Sequence, residues 1–277
     1  MRFGRTAARS LAAVVLAASV SCLSAAAHKK LDVVASTTLL QSAVTDIGGR
    51  YVNVGVLIAP GSCPGHYDIR PQDMRKLSSS KLALIHGYEA FIEKLVDSMG
   101  RNRPKLVKIR VAGNWMVPDV YIRGAKQVTD ALCAVDPKHS ADYRRSFSLL
   151  EARTKKLSAE MSKELKAKAV SRVAILCSDQ QKPFVEWMGF KVVGTYARAE
   201  EFTPAELHKL TALGRRQNVR LVIDNLQSGP TAGKELSKDI GAAHVTLSNF
   251  PGGFAGTDTW SACLRDNVRR VLKGMKR

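Results

Sequence analysis

Beyond its first 27 residues, this 277-residue sequence contains no apolar run of the about 20 residues that a bilayer-spanning helix needs. It also has no His-Glu-x-x-His helix, no Ser/His/Asp order and no paired-carboxylate spacing. The usual hydrolytic constellations are therefore absent, and an enzyme is not expected. The run Gly252-Gly253-Phe254-Ala255-Gly256 lacks the lysine and the strand-to-helix setting of a phosphate-cradling loop. Acidic residues are few, 24 against 43 lysines and arginines, for a formal net charge of +19. No dense arginine run and no aromatic-basic repeat accompanies that charge, so nucleic acid is not an expected partner.

What is present begins with an export signal. Arg2, Arg5 and Arg9 form a cationic start, residues 11–23 form a short apolar run, and Ala25, Ala26 and Ala27 close it. This order predicts a secretory signal peptide over residues 1–27, cleaved near Ala27 to leave His28 first, and hence a periplasmic protein. Cys22 stands where a lipid-modified cysteine would, but the residue three before it is Ser19, not an aliphatic one. The segment carries three arginines and no acid, so the remainder keeps a net charge of +16. Such a balance reads first as solvated helix faces and second as attraction to an anionic ligand or surface. Cys63, Cys133, Cys177 and Cys263 remain; an even count in an oxidising compartment allows two disulfides, with three connectivities open.

Short β-rich runs alternate with amphipathic stretches, the pattern of βα units around parallel sheets. Strands are predicted at 31–36, 52–58, 82–86 and 106–111, then at 172–176, 191–195, 220–223 and 244–247. Helices are predicted between them, among them 118–134, 203–217 and 258–273. Thr203-Pro204-Ala205-Glu206 supplies a cap, a proline at the first helical position and an acid in the first turn. From Pro137 to about residue 169, Phe147, Leu150, Leu157, Met161 and Leu165 recur at helical spacing. A helix of about 30 residues would reach roughly 45 Å. The expected fold class is α/β: two βα-sandwich lobes with parallel sheets, over 28–135 and 170–277, joined by one long bridging helix over 136–169.

Several segments carry a family likeness. They are Val34-Ala35-Ser36-Thr37-Thr38-Leu39, Pro60-Gly61 through Tyr67, Asp68, Pro71 and Asp73, Trp115 with Pro118, and Asp136-Pro137. Cys177-Ser178-Asp179 and Gly256-Thr257 through Arg265-Asp266-Asn267 complete the set. In their order and spacing, these residues resemble the solute-binding proteins of zinc and manganese ABC importers. The resemblance implies a monomer that delivers cargo to a membrane ABC permease, with a divalent cation held between the lobes by three histidines and a carboxylate. At the matching positions this chain has Gly65, with His66 displaced by one, then Gly113, Ser178 followed by Asp179, and Asn249. No histidine-rich loop lies between the lobe segments. Glycine has no side-chain ligand, and serine and asparagine are poor zinc ligands beside imidazole or thiolate. The resemblance thus implies an altered or degenerate metal site, its cargo open between a divalent transition metal and a metal chelate. The alternative function is an interaction protein that binds no metal and docks a partner or an anionic polymer through its basic surface.

The residues themselves leave one replacement site open. Cys63-x-x-His66 lies on the first cleft loop and Cys177 at a predicted strand end, so three soft donors facing one cleft would suit copper, zinc or haem-like iron. Against this stand a Cys63–Cys177 disulfide or an inert buried thiol. His86, His139, His208 and His244 read as structural or solvated. Asp179, Asp224 and Asp258 read as helix-capping carboxylates, and Cys133 and Cys263 as staples with unassigned partners.

Overall fold

The computed structural model describes residues 29–276; the signal segment, Cys22, Ala27 and His28 lie outside the described residues. The first lobe runs β1 (Leu31–Ala35), α1 (Thr38–Gly48), β2 (Val52–Val56), α2 (Pro71–Ser79), β3 (Leu82–Ile85), α3 (Ala90–Ser98), β4 (Lys105–Lys108) and α4 (Pro118–Val135). A long helix, α5 (Ser140–Ala167), leads into the second lobe. That lobe runs β5 (Ala174–Ser178), α6 (Lys182–Trp187), β6 (Lys191–Tyr196), α7 (Pro204–Arg216), β7 (Leu221–Asn225), α8 (Lys234–Ile240), β8 (Ala243–Leu247) and α9 (Trp260–Gly274). The sheets are four-stranded and parallel throughout, ordered β2-β1-β3-β4 and β6-β5-β7-β8. Each lobe therefore repeats one winding, and the expected two-lobe α/β class is the one observed.

The central strands β3, β5 and β7 are buried along their whole length, as continuous apolar runs in a sheet covered on both faces must be. Strand alternation sends Ile175 and Cys177 into a core shared by both lobes, while Ala174 and Leu176 pack on the outer side of the second sheet. α5 buries one stripe, Tyr143, Leu150, Thr154, Leu157, Met161 and Leu165, and spans roughly 42 Å at 1.5 Å per residue. Each fully buried leucine on it stabilises the fold by about 1.5–3 kcal/mol.

The long helix begins later than the Pro137 start read from sequence. Asp136 Oδ2 accepts from His139 Nδ1 at 2.6 Å and from Tyr143 OH at 2.7 Å, which curls Pro137–His139 into a 3-10 turn ahead of Ser140. β5 likewise starts two residues later than expected, because a 3-10 turn occupies Val170–Arg172. The lobes are also joined through aromatic packing. Tyr121 stacks on Trp260 with ring centroids 4.3 Å apart, and Trp260 Nε1 donates to the Trp115 carbonyl at 2.8 Å. Gly124 makes room for this, since a Cβ there would lie 2.2 Å from the Trp115 ring.

None of the four described cysteines is in a disulfide, which removes the two bridges that the even count allowed. Cys177 and Cys263 are buried in the core as free thiols, and Cys133 Sγ contacts the Ser140 carbonyl at 3.7 Å.

Candidate functional site

A cleft of about 670 Å³ opens where the C-terminal ends of the two sheets meet, the place where parallel α/β sheets carry ligand loops. The first lobe contributes Cys63, Pro64 and Gly65 from the loop after β2, His86 and Tyr88 after β3, and Gly113, Asn114 and Trp115 before α4. The second contributes Asp179 after β5, Arg198 after β6, Asn225 from the end of β7, and Asn249 after β8.

At its centre the lobes are tied by side-chain amides. Asn114 Nδ2 donates to Asn249 Oδ1 at 2.8 Å and to the Gln180 carbonyl at 2.9 Å. Asn249 Nδ2 donates to the same carbonyl at 3.2 Å, and Gln181 Nε2 donates to Asn249 Oδ1 at 3.1 Å and Asn225 Oδ1 at 3.0 Å. Asn114 Oδ1 accepts from the Met116 N–H at 2.7 Å, and the Asn249 N–H donates to Gln227 Oε1 at 3.0 Å. Gln227 Nε2 then reaches across to the Pro60 carbonyl at 2.6 Å. The web is neutral and directional, and its donors are matched to acceptors, while the Gln181 Oε1 acceptor is left buried without a partner.

The sequence-predicted positions fall unequally around this web. Gly65, Gly113 and Asn249 line the cleft, and Ser178 is buried one residue before Asp179. Gly113 has φ 108°, and a Cβ on it would meet Val120 Cγ2 at 3.1 Å. The backbone there favours glycine, so any side chain at this position is strained.

The three soft donors do not come together. Cys63 lines the cleft, but His66 Nε2 faces Glu200 Oε1 at 3.9 Å on the exposed rim. Cys177, inside β5 and not at its end, points into the shared core. Burial raises its thiol pKa well above the ordinary range, and the charge of Asp179 adds to the effect, so it is held as a neutral thiol and not the thiolate a metal needs. Among the described residues no group of three or more His, Cys, Asp or Glu side chains is placed to hold a metal ion. Cys63, His66 and Cys177 thus do not meet in one place in this structure: strand alternation turns Cys177 into the core, and the loop turns His66 outward.

His86, read from sequence as structural, stands on the cleft wall. Burial lowers its pKa to about 3, which keeps the imidazole neutral. Its Nε2 shares a hydrogen bond with Thr37 Oγ1 at 2.8 Å, while Nδ1 is buried without a partner. Glu89 fixes this turn by accepting from Ser36 Oγ and from the His86 and Gly87 N–H groups. The signal available in the sequence was its place immediately after an all-apolar strand. His139 and His244 are engaged by Asp136 and Asp224. Asp224 also accepts from Tyr196 OH and from the N–H of Gly233, the residue preceding α8. Asp179 opens a 3-10 turn, and Thr259, not Asp258, caps α9.

Residues 33–274 match the family model for ZnuA, the periplasmic component A of the zinc-uptake complex. The manganese-binding lipoprotein MntA of Bacillus subtilis is 25% identical over 279 residues, which cover 90% of this chain and 91% of that protein. The metal ABC transporter substrate-binding lipoprotein SloC of Streptococcus mutans is 22% identical over 284 residues, with the same coverages. Among solved structures, the periplasmic zinc-binding protein TroA from Treponema pallidum superposes with a TM-score of 0.76 at 18% identity, over 90% of this chain and 100% of that one.

Proposed function

This chain belongs to the ZnuA family, the substrate-binding proteins of metal ABC transporters, and from that premise we propose that it is an exported, periplasmic binding component whose cleft takes something other than a bare zinc or manganese ion. It captures its cargo without transforming it and hands it to a membrane permease. The observation that carries this reading is the amide web: among Gly65, Gly113 and Asn249, the lobes are bridged by Asn114, which donates to Asn249 and to the Gln180 carbonyl, with Gln181 bracing Asn249 from its own lobe. Carboxamide oxygens are hard, neutral ligands with little affinity for zinc. Here Asn249 Oδ1 is already committed to Asn114 and Gln181, and Asn114 Oδ1 to the Met116 N–H. The cleft is also far larger than an ion requires and falls in the roughly 300–1,000 Å³ range of small-molecule sites, which favours a metal chelate or a small organic molecule. Relatives named for manganese and for iron support the view that cargo varies within this fold.

The test is to purify the protein directly from the periplasm and measure its metal content with thiols counted. Zinc and manganese well below one per chain are expected; a stoichiometric amount of either overturns the reading. The surface offers a second reading. α5 alone exposes Arg144, Arg145, Lys155, Lys156, Lys163 and Lys166, a basic face suited to an anionic polymer. Under that reading binding weakens steeply with salt and survives changes in the cleft.

A further inference from the structure

The cleft holds a cation with no protein partner. Among the described residues, Arg198 makes no hydrogen bond or ion pair through its side chain, although it is half-buried and lines the cleft. Its Nη1 lies 3.5 Å from the point a Cβ on Gly65 would occupy, and Cys63 Sγ lies 3.7 Å from that same point. The guanidinium therefore reaches from the second lobe to the first-lobe loop. A guanidinium has five donors in a rigid fork and no acceptor. On the cleft lining those donors have no carboxylate or carbonyl of the protein to receive them, and an anionic ligand would engage the fork as a charge-assisted, bidentate pair.

A second, independent feature lies on the opposite wall. Tyr88 is 60% exposed, yet its ring is held parallel to His86, with centroids 5.2 Å apart and planes at 5°. His86 is itself braced edge-on by Trp115 at 4.7 Å. A large ring fixed flat on a buried imidazole and left open to the cleft is a stacking platform. The Nδ1 of that imidazole is buried without a partner. Asp179, exposed and without a hydrogen bond or ion pair through its side chain among the described residues, also lines the cleft.

We propose that this cleft binds a small organic carboxylate with a flat, conjugated body: the carboxylate in the Arg198 fork, the ring on Tyr88, and an amine or hydroxyl of the same molecule at Asp179. The proposal rests on the reading of the chain as a binding protein without the four-ligand metal site, and names its cargo class. The shared chemistry is the planar carboxylate, taken either as the free acid or as its metal chelate.

The test is calorimetric titration of the mature protein with salicylate, picolinate, tryptophan and dipicolinate, the last with and without one equivalent of zinc, and with zinc alone. At least one carboxylate is expected to bind at micromolar or better affinity. Arg198→Ala is expected to weaken it roughly 10- to 100-fold, the loss of a charge-assisted hydrogen-bonded pair. Arg198→Lys keeps the charge but loses the fork, and Tyr88→Ala removes the platform; both should weaken binding while thermal melting stays that of the parent. Dipicolinate binding without zinc identifies the free acid as cargo, and binding only with zinc identifies the chelate; either supports the proposal. It is overturned if no member of the panel binds below millimolar concentration, or if the Arg198 variants bind like the parent. Sub-micromolar binding of zinc alone instead overturns the earlier reading of the cleft, so the two failures are distinguishable.

Discussion

Replacing Asn114 with alanine deletes three hydrogen bonds at once: those to Asn249 Oδ1 and the Gln180 carbonyl, and the one accepted from the Met116 N–H. At roughly 1 kcal/mol for each bond, the expected loss of stability is about 2–3 kcal/mol. Asn249→Ala removes the acceptor shared by Asn114 and Gln181 and the donation to Gln180, so its expected cost is similar, about 2–3 kcal/mol. The 2.8 Å bond between the two amides is counted in both variants but can be lost only once. The double variant should therefore fall short of additivity by about 1 kcal/mol. Urea denaturation of the parent, both single variants and the double variant measures this directly. A cycle that is additive within about 0.3–0.5 kcal/mol would refute the claim that these amides tie the lobes to each other.

Gly113→His, which writes the missing histidine back, is expected to lower stability by about 1–3 kcal/mol because of the positive φ, and to leave zinc affinity unrestored in a titration. Thr203→Ala removes the hydroxyl that accepts from the Glu206 N–H at the start of α7, with an expected cost of about 1 kcal/mol by thermal unfolding. His86, held neutral in the fold by burial with its pKa near 3, binds a proton first in the unfolded chain as pH drops below about 6.5. Its contribution is complete above that pH and declines toward the folded pKa, at up to about 1.4 kcal/mol per pH unit. His86→Gln should flatten the acid-side fall in urea midpoint relative to the parent; a parent-to-variant difference that stays constant with pH contradicts this.

The winding of the chain was legible in the sequence because it follows from local periodicity. The run from Phe147 to Leu165 repeats on one helical face, and the continuous apolar strands reveal sheets covered on both sides. Gly65, Gly113 and Asn249 were placed by motif spacing, which fixes loops relative to strand ends. Facing direction was less legible. A two-residue shift of β5, caused by the turn at Val170–Arg172, keeps Cys177 within the strand, where alternation turns it into the core. His66 follows a 3-10 turn outward to Glu200. The amide web and Arg198 left no sequence signal at all, because single asparagines, glutamines and arginines acquire meaning only when separate loops meet. Nor did cysteine parity carry the pairing, since thiols form a bridge only when the fold brings them to bonding distance.

The central claim, that this cleft has given up the bare-ion site of its family, is tested most directly by calorimetric titration of the metal-stripped mature protein with zinc and with manganese. No saturable site tighter than micromolar is expected for either ion. A one-to-one site of sub-micromolar affinity for either, about −8 kcal/mol or more favourable, would contradict it.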